Sequence, residues 1–236
     1  MQIEIYNTLV LQGLLAISSL ILILKFFNRN ALFYENISSE VRKIHTRSTF
    51  KIGGIVFLFV SISILHIHNT QLKGAIYIAF IFLLIGVFAD IYSKFSWKLR
   101  LILMSTLTLF TIINLNLFVL DTYITPLNFL LNFYFFSLLF TLFCILIMVN
   151  GINFIDGQHG LATGISIILL LSFYVNLDNN LIQIKILIQS LILICSILFF
   201  FNFVLNRVFI GDGGSYFLGF IISIIAIKTN IQHSIN

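Results

Sequence analysis

Charged residues and prolines are scarce in this chain, and their scarcity excludes an ordinary soluble globular domain. Charged residues make up 9 % of the 236 residues and there is a single proline, whereas hydrophobic residues reach 60 %. A soluble domain carries about 25 % charged residues. Because so little polar surface can be formed, most of the chain must face lipid or other apolar segments.

Cysteine is scarce as well. Cys144 and Cys195 are the two cysteines, and both lie inside apolar runs, where cysteine usually serves as a small core residue. They provide neither a disulfide framework nor the ligand spacing of a zinc site. The sequence also contains no P-loop and no G-x-G-x-x-G stretch, so nucleotide binding through those motifs is excluded.

Apolar runs near twenty residues long, the length that crosses a bilayer, recur along the sequence. We predict an all-α fold, a polytopic transmembrane helix bundle of about eight spans that forms one membrane domain over residues 1–236. The predicted spans are about 8–27, 53–67, 74–89, 101–119, 128–148, 161–176, 181–201 and 215–228.

Lysine and arginine are distributed unevenly between the connecting segments. Alternating spans place segments 28–52, 90–100, 149–160 and 202–214 on one side, and with Lys25 these hold ten of the thirteen basic residues. The positive-inside rule makes that side cytoplasmic, so both termini are expected outside. This pattern explains the net charge of +5 through membrane orientation and attraction to anionic lipid, without a nucleic-acid partner.

An acidic residue occurs in the stretch F-I-G-D-G-G-S-Y-F-L-G-F, from Phe209 to Phe220. The pattern predicts a glycine-rich turn that holds Asp212 between two apolar segments. A carboxylate costs on the order of 3 kcal/mol at the centre of a membrane helix, so such a residue is usually functional. Magnesium takes carboxylate oxygens, and glycines let backbone N–H groups approach a phosphate. We therefore predict that Asp212 is a magnesium ligand beside a phosphate site.

A second polar stretch, N-G-I-N-F-I-D-G-Q-H-G-L-A, repeats polar residues every third position, at Asn150, Asn153, Asp156 and His159. At this spacing the side chains share one face of a helix. Amides and carboxylates can bind sugar hydroxyls and a base, and Asp156 can support a metal ion. The alternative is that Asn and Asp simply cap the end of a helix.

The segment after the third predicted span begins with Asp90, and Lys94 follows four residues later. That spacing allows an ion pair on a helix, so Asp90 is either part of an interfacial salt bridge or a carboxylate base at the membrane surface. Trp97, Lys98 and Arg100 are typical of residues that anchor a helix at the interface.

The first predicted cytoplasmic segment ends in basic residues. His45, Arg47 and Lys51 precede the pair Gly53 and Gly54, which opens the second predicted span. The N-terminus of a helix favours a phosphate group, so these residues can hold a pyrophosphate. The alternative is ordinary positive-inside charge.

These stretches resemble the polyprenyl-phosphate N-acetylhexosamine-1-phosphate transferases, glycosyltransferase family 4. The resemblance rests on N-x-x-N-x-x-D-G-x-x-G-L at 150–161 and F-x-G-D-x-G-S-x-x-L-G at 209–219. The H-T…G-G stretch at 45–54 gives weaker support, and its form favours donors such as UDP-GlcNAc. In all, the matching stretches run from about Arg42 to Phe220.

The resemblance implies a bundle of about ten helices in the bacterial inner membrane, with a cytoplasmic magnesium site that manganese can also fill. It implies transfer of a sugar 1-phosphate, GlcNAc 1-phosphate or similar, from a UDP-sugar to undecaprenyl phosphate. UMP is released in this first membrane step of cell-envelope glycan synthesis. The expected partners are the UDP-sugar, undecaprenyl phosphate and membrane lipid.

By motif match, Asp212 is the magnesium ligand, Phe209 stacks on uracil, and Asn153 and Asp156 line the nucleotide and pyrophosphate pocket. Asp90 matches the second acid of the family's Asp-Asp pair and deprotonates the lipid phosphate. The predicted catalytic residues are Asp90, Asp156 and Asp212. The predicted substrate-binding residues are Asn150, Asn153, His159, Phe209, Lys94, Arg47, Lys51 and His45.

The sequence departs from the family pattern at three places. Ala89 stands where the first acid of the pair is expected, and His159 stands where a second Asp often follows D-G-x. The family usually continues with two more spans and a histidine-containing loop, whereas this sequence stops at Asn236. We therefore expect a truncated or degenerate transferase. The alternative is a non-catalytic protein that binds polyprenyl phosphate or UDP-sugar, with a homo-oligomer or a completing chain as partner.

Overall fold

The computed structural model describes residues 2–26, 34–35, 49–50, 53–66, 69–92, 94–205 and 208–235. Its α-helices are α1 Gln2–Phe26, α2 Thr70–Ile91, α3 Trp97–Leu115, α4 Thr125–Leu131, α5 Tyr134–Ile155, α6 Leu161–Asn176, α7 Ile182–Phe199 and α8 Gly211–Ile235. The remaining elements are two 3-10 helices, Gly53–His66 and Asn179–Leu181, a π-helix, Phe200–Val204, and the strands β1 Tyr34–Glu35 and β2 Thr49–Phe50. The strands pair antiparallel, with Tyr34 opposite Phe50.

Six helices within the described residues are long and apolar enough to cross a membrane. They are Ile3–Lys25, Leu72–Ile91, Trp97–Leu115, Tyr134–Ile155, Ile182–Val204 and Gly211–Ile231. Two shorter apolar helical segments, Gly53–Ile62 and Leu161–Asn176, lie where two more spans were predicted. The prediction of an all-α, multi-pass membrane protein is confirmed, while the count of eight spans stays a prediction.

Two predicted boundaries are wrong. The span predicted at 128–148 crosses a break, because α4 ends at Leu131 and α5 begins at Tyr134. The glycine-rich stretch around Asp212 is the first turn of α8 rather than a turn between segments. Gly211, with a φ of 74°, turns the chain into this helix, a conformation that glycine adopts without strain.

Helix α8 lies at the centre of the bundle. In its candidate span 78 % of residues are buried, compared with 22 % in those of α1 and α3. It packs against α2, α5, α6 and the 3-10 helix Gly53–His66. The Phe217 ring stacks on Phe57 at 5.0 Å, and Phe220 stacks on Phe82 at 4.5 Å. The residues at the start of α8 are therefore held from several sides.

Glycines allow this close packing. A methyl group added at Gly86 of α2 would overlap the backbone carbonyl of Asp212, and one added at Gly54 would overlap Cα of Gly214. Small residues at such crossings let helix backbones approach closely in a membrane. The N–H groups of Gly53 and Gly54 donate to the carbonyls of Phe209 and Ile210 at 2.9 and 2.8 Å. These two N–H groups are thus engaged in the fold, while the predicted pyrophosphate role of His45, Arg47 and Lys51 lies outside the described residues.

Candidate functional site

Three helix ends meet around the start of α8. Asp90 lies in the last turn of α2, Asn153 in the last turn of α5, and Asp212 in the first turn of α8. The structure therefore brings together residues from three predicted cytoplasmic segments, 90–100, 149–160 and 202–214. The fourth segment, 28–52, lies mostly outside the described residues, as do His45, Arg47 and Lys51.

The Asp212 carboxylate has a partner at each oxygen. Asn153 Nδ2 donates to Oδ1 at 2.7 Å, and Arg100 Nη1 donates to Oδ2 at 2.5 Å. The same Arg100 nitrogen donates to the Tyr216 hydroxyl at 3.1 Å. The side chains of Arg100 and Asp212 are 25 % and 28 % exposed, so the ion pair is open to water on one side. A ligand that approaches from that side reaches both charges.

Asn153 also fixes the geometry of the first turn of α8. Its Nδ2 donates to the Ser215 hydroxyl oxygen at 2.9 Å, and that hydroxyl donates to the Gly211 carbonyl at 2.9 Å. Ser215 is fully buried. Asn153 therefore links α5 to α8 and holds the Asp212 carboxylate in one orientation.

Asp156 lies just beyond the end of α5 and is buried, with 8 % of its surface exposed. Its Oδ2 accepts the N–H of Gly211 at 2.8 Å. Burial raises the pKa of Asp156 well above its ordinary value, and repulsion from Asp90 and Asp212 adds to this, while hydrogen bonds from the Gly211 and Ile210 N–H groups oppose it. Asp156 thus acts as a cap, as one alternative proposed, but it caps α8 rather than its own helix.

Asp90 contacts the same turn from the other side. Its Oδ2 accepts the N–H of Gly213 at 3.3 Å. Lys94, predicted as a possible partner of Asp90, is exposed in the turn that follows α2, and the cation beside Asp212 is Arg100. Arg100, predicted as an interface anchor, is ion-paired with Asp212 at the start of α3, and its anchoring role stays a prediction. The sequence did contain a signal for a role of Arg100 near the site, because Arg100 lies in the first turn of the helix that follows Asp90.

The four polar residues predicted to share one helical face do not do so. Asn150 is exposed and donates to the Leu146 carbonyl at 2.7 Å. The His159 ring packs against Phe209 instead, with ring centres 5.2 Å apart. The reason is that α5 ends at Ile155, so the helical period stops between Asn153 and Asp156. Phe209 is 4 % exposed and packs against the half-buried His159 ring.

Asn202 is a residue of this region that the sequence reasoning missed. It is buried in the π-helix at the end of α7, and its Oδ1 accepts the N–H of Gly160 at 2.5 Å. Gly160 has a φ of 73° and packs against Phe199 and Phe203. π-helical turns often mark functional regions. Here the turn supplies the side chain that fixes the loop between Asp156 and α6.

A magnesium site needs oxygen ligands, carboxylates above all. Across the described ranges, no group of three or more His, Cys, Asp or Glu side chains is placed to hold a metal ion. Magnesium in proteins is often held by one or two carboxylates, with substrate phosphates and water completing the shell. Asp212, the residue predicted to bind the metal, provides one such carboxylate in the first turn of α8. A magnesium role for this carboxylate stays a prediction, because both of its oxygens already have protein partners.

Comparison with known proteins adds a further finding. The sequence model of a family described as glycosyl transferase family 4 matches residues 72–230. The chain is 33 % identical, over 79 % of its length and 53 % of the relative's, to a probable undecaprenyl-phosphate N-acetylglucosaminyl 1-phosphate transferase of Bacillus subtilis.

Two further relatives are phospho-N-acetylmuramoyl-pentapeptide-transferases. The protein of Sulfurimonas denitrificans is 31 % identical over 74 % of this chain and 58 % of its own length. The protein of Staphylococcus epidermidis is 30 % identical over 86 % of this chain and 70 % of its own length. The chain thus spans a little over half the length of the Bacillus and Sulfurimonas relatives.

Proposed function

The chain belongs to glycosyl transferase family 4, and on that premise we propose that it transfers a sugar 1-phosphate from a UDP-sugar to undecaprenyl phosphate, releasing UMP. The observation that carries this proposal is the convergence of Asp90, Asn153 and Asp212 on the first turn of α8. The name of the Bacillus subtilis relative supports undecaprenyl phosphate as the acceptor and GlcNAc 1-phosphate as the transferred group.

In the proposed reaction an oxygen of the lipid phosphate attacks the β-phosphorus of the UDP-sugar. A new P–O bond forms as the bond from that phosphorus to the bridging oxygen breaks, and UMP leaves with the bridging oxygen. Asp90 accepts the proton of the lipid phosphate. Arg100, exposed on one side and next to Asp212, contributes positive charge where negative charge builds up on the phosphate oxygens.

Magnesium, or manganese in its place, is the cofactor in this proposal, and Asp212 would hold it. When bound it would neutralise the pyrophosphate and stabilise the leaving UMP. Asn153 keeps the Asp212 carboxylate oriented, and Asp156 keeps the start of α8 in place. The protein therefore supplies orientation, one base and one permanent cation.

We place this site on the cytoplasmic side of the bacterial inner membrane, with eight spans and both termini outside. The distribution of basic residues supports this orientation. Cysteine labelling tests it. The cysteine of Lys94→Cys should react with a membrane-impermeant thiol reagent only after cells are opened. The cysteine of Tyr123→Cys, at a position that is 84 % exposed, should react in intact cells. The reverse pattern would place the site outside.

Association is also part of the proposal, with a second copy of this chain or a completing chain as the partner. Helix α1 supports it by exposing large apolar side chains, including Leu14 and Leu22. Cysteine crosslinking through these two positions in native membranes should give a dimer or a captured second protein. A chain that remains uncrosslinked at both positions would count against association through α1.

The activity test uses the purified chain in liposomes that contain undecaprenyl phosphate. Radiolabelled UDP-GlcNAc should give a lipid-linked product and UMP in equal amounts, with a requirement for magnesium. UDP-MurNAc-pentapeptide serves as the second donor, because two of the relatives are named for that substrate. The proposal fails if neither donor yields UMP while the lipid is bound.

A second candidate function is binding of polyprenyl phosphate or UDP-sugar without turnover. The observation that favours it is Ala89, which stands beside Asp90 where the family carries another acid. Asp212→Asn separates the two functions. A transferase loses turnover and its dependence on magnesium, whereas a binding protein never releases UMP and keeps its lipid affinity in the variant.

A further inference from the structure

A cavity of about 420 Å³ lies at the opposite end of the bundle from Asp212. Its lining residues are Asn69, Leu72, Asn180, Leu181, Ile182, Gln183, Ile184 and Lys228. Leu72 lies in the first turn of α2 and Asp90 in its last, so the cavity is about 27 Å along that helix from the carboxylate site. At that separation it cannot contribute contacts to the site around Asp212.

The cavity lies beside the ends of three candidate spans, where the membrane surface is expected. The spans Leu72–Ile91 and Ile182–Val204 begin beside it, and Gly211–Ile231 ends three residues beyond Lys228. Phospholipid phosphate groups lie at this boundary, just outside the hydrocarbon core. A ligand with a phosphate group and an apolar tail is therefore at the right depth to enter.

The lining is suited to an anion. Lys228 is the one charged residue among the lining residues, and it is half-buried on the central helix α8. Three amide side chains, those of Asn69, Asn180 and Gln183, also line the cavity, and none of the lining residues is acidic. Gln183 Oε1 accepts the N–H of Asn69 at 2.8 Å, which ties the start of α7 to the start of α2.

We propose that this cavity binds a phosphate-bearing anion, the chemistry that an anionic phospholipid headgroup shares with free inorganic phosphate. Its volume falls within the range of small-ligand sites in proteins, roughly 300–1,000 Å³. Leu72 and Ile184, both buried, give the cavity an apolar wall, while Lys228 and the amides give it a polar one. This site does not depend on the reaction proposed at Asp212.

The test measures lipid retention by the purified full chain in detergent, using native mass spectrometry with added phosphatidylglycerol or phosphatidylcholine. The wild-type chain should retain phosphatidylglycerol more tightly than phosphatidylcholine. Lys228→Met should weaken phosphatidylglycerol retention about fivefold, the contribution of one lysine near an anionic headgroup. Lys228→Arg should restore it. Lys73→Met is the matched control, because Lys73 lies in the first turn of α2 but does not line the cavity.

A second variant guards against misfolding of Lys228→Met. Asn180→Asp adds a negative charge at an exposed lining position and should also weaken phosphatidylglycerol retention. Competition by inorganic phosphate distinguishes the two sources: displacement of the lipid identifies free phosphate as a ligand, and undisturbed retention identifies the headgroup. The proposal is overturned if both variants retain phosphatidylglycerol like the wild type, or if the wild type retains phosphatidylcholine equally well.

Discussion

Arg100 at the start of α3 and Asp212 at the start of α8 form an ion pair in which Nη1 lies 2.5 Å from Oδ2. Arg100 thus binds the same carboxylate that the motif assigns to magnesium. Arg100 also donates to Tyr216, one helical turn further along α8. The Arg100 guanidinium therefore lies where a metal ion bound to Asp212 would meet a phosphate. Arg100 and the metal ion must either share the Asp212 carboxylate or displace one another.

Replacing Arg100 should distinguish its contribution from that of the metal ion. Arg100→Gln is expected to strengthen manganese binding, measured by electron paramagnetic resonance, because the competing guanidinium is removed from Oδ2. Turnover should fall at least tenfold, since one charge beside the phosphates is lost. Lys98→Gln is the control, because Lys98 lies over the Trp97 ring rather than at Asp212. Unchanged manganese affinity in Arg100→Gln would show that the pair does not compete with the metal.

Asp90→Asn tests the proposed base. The amide oxygen can still accept the N–H of Gly213, so the thermal unfolding temperature should change little. Loss of the carboxylate should lower kcat by about 10²–10⁴, the usual contribution of a general base. Lys94→Gln, in the exposed turn after α2, should leave kcat near the wild-type value. If Asp90→Asn turns over like the wild type, Asp90 is not the base.

Asp156 should make stability depend on pH. Its pKa is raised in the folded chain, so the folded state holds the proton more tightly than the unfolded state does. Stability contributed by this group is therefore greatest at low pH and falls as pH rises from about 3.8 through the raised pKa. Asp156→Asn keeps an acceptor for the Gly211 N–H but has no group that titrates. The unfolding temperature of the variant should therefore rise relative to that of the wild type as the pH increases.

A companion variant examines the hydrogen bond of Asp156 apart from its charge. Asp156→Leu should cost about 1–3 kcal/mol of unfolding free energy, because the Gly211 N–H is left buried without a partner. Thermal unfolding in detergent at several pH values measures both variants. Equal unfolding temperatures for the Asn and Leu variants would show that the hydrogen bond to Gly211 contributes nothing.

Gly86→Ala should disturb the site without touching a polar group. The added methyl group meets the backbone of Asp212 and Gly213, so α8 must shift, at a cost of about 1–3 kcal/mol and a loss of turnover. Gly151→Ala in α5 is the matched control, since nothing lies within 4 Å of its added methyl group. There, alanine should raise helix stability by up to about 1 kcal/mol. Both effects can be read from unfolding temperatures and initial rates.

The general architecture could be predicted from the sequence because it depends on local patterns. Apolar runs of span length determine a membrane bundle, and the family resemblance drawn from two motifs is confirmed. Asp90, Asn153 and Asp212 were singled out by their places at the ends of apolar segments, and the structure does bring them together. Their roles in chemistry remain predictions.

The parts that could not be predicted depend on where helices end and on which partners they meet. The three-residue period from Asn150 to His159 assumed one continuous helix, but α5 ends at Ile155. Beyond that end, Asp156 accepts a hydrogen bond from the start of α8 and His159 packs against Phe209. The partner of Arg100 lies 112 residues away in sequence. Asn202 reaches Gly160 from a π-helical turn, which no apolar period indicates.

The central position of α8 has a consequence for how the protein is made. Asp90 and Asn153 are synthesised before Asp212, and they lie on the helices between which α8 must fit. Gly54 and Gly86 pack directly against the backbone at the start of α8, so these contacts can form only once α8 is present. The contacts that Asp90 and Asn153 make with the first turn of α8 therefore form only after nearly all of the other helices have been synthesised.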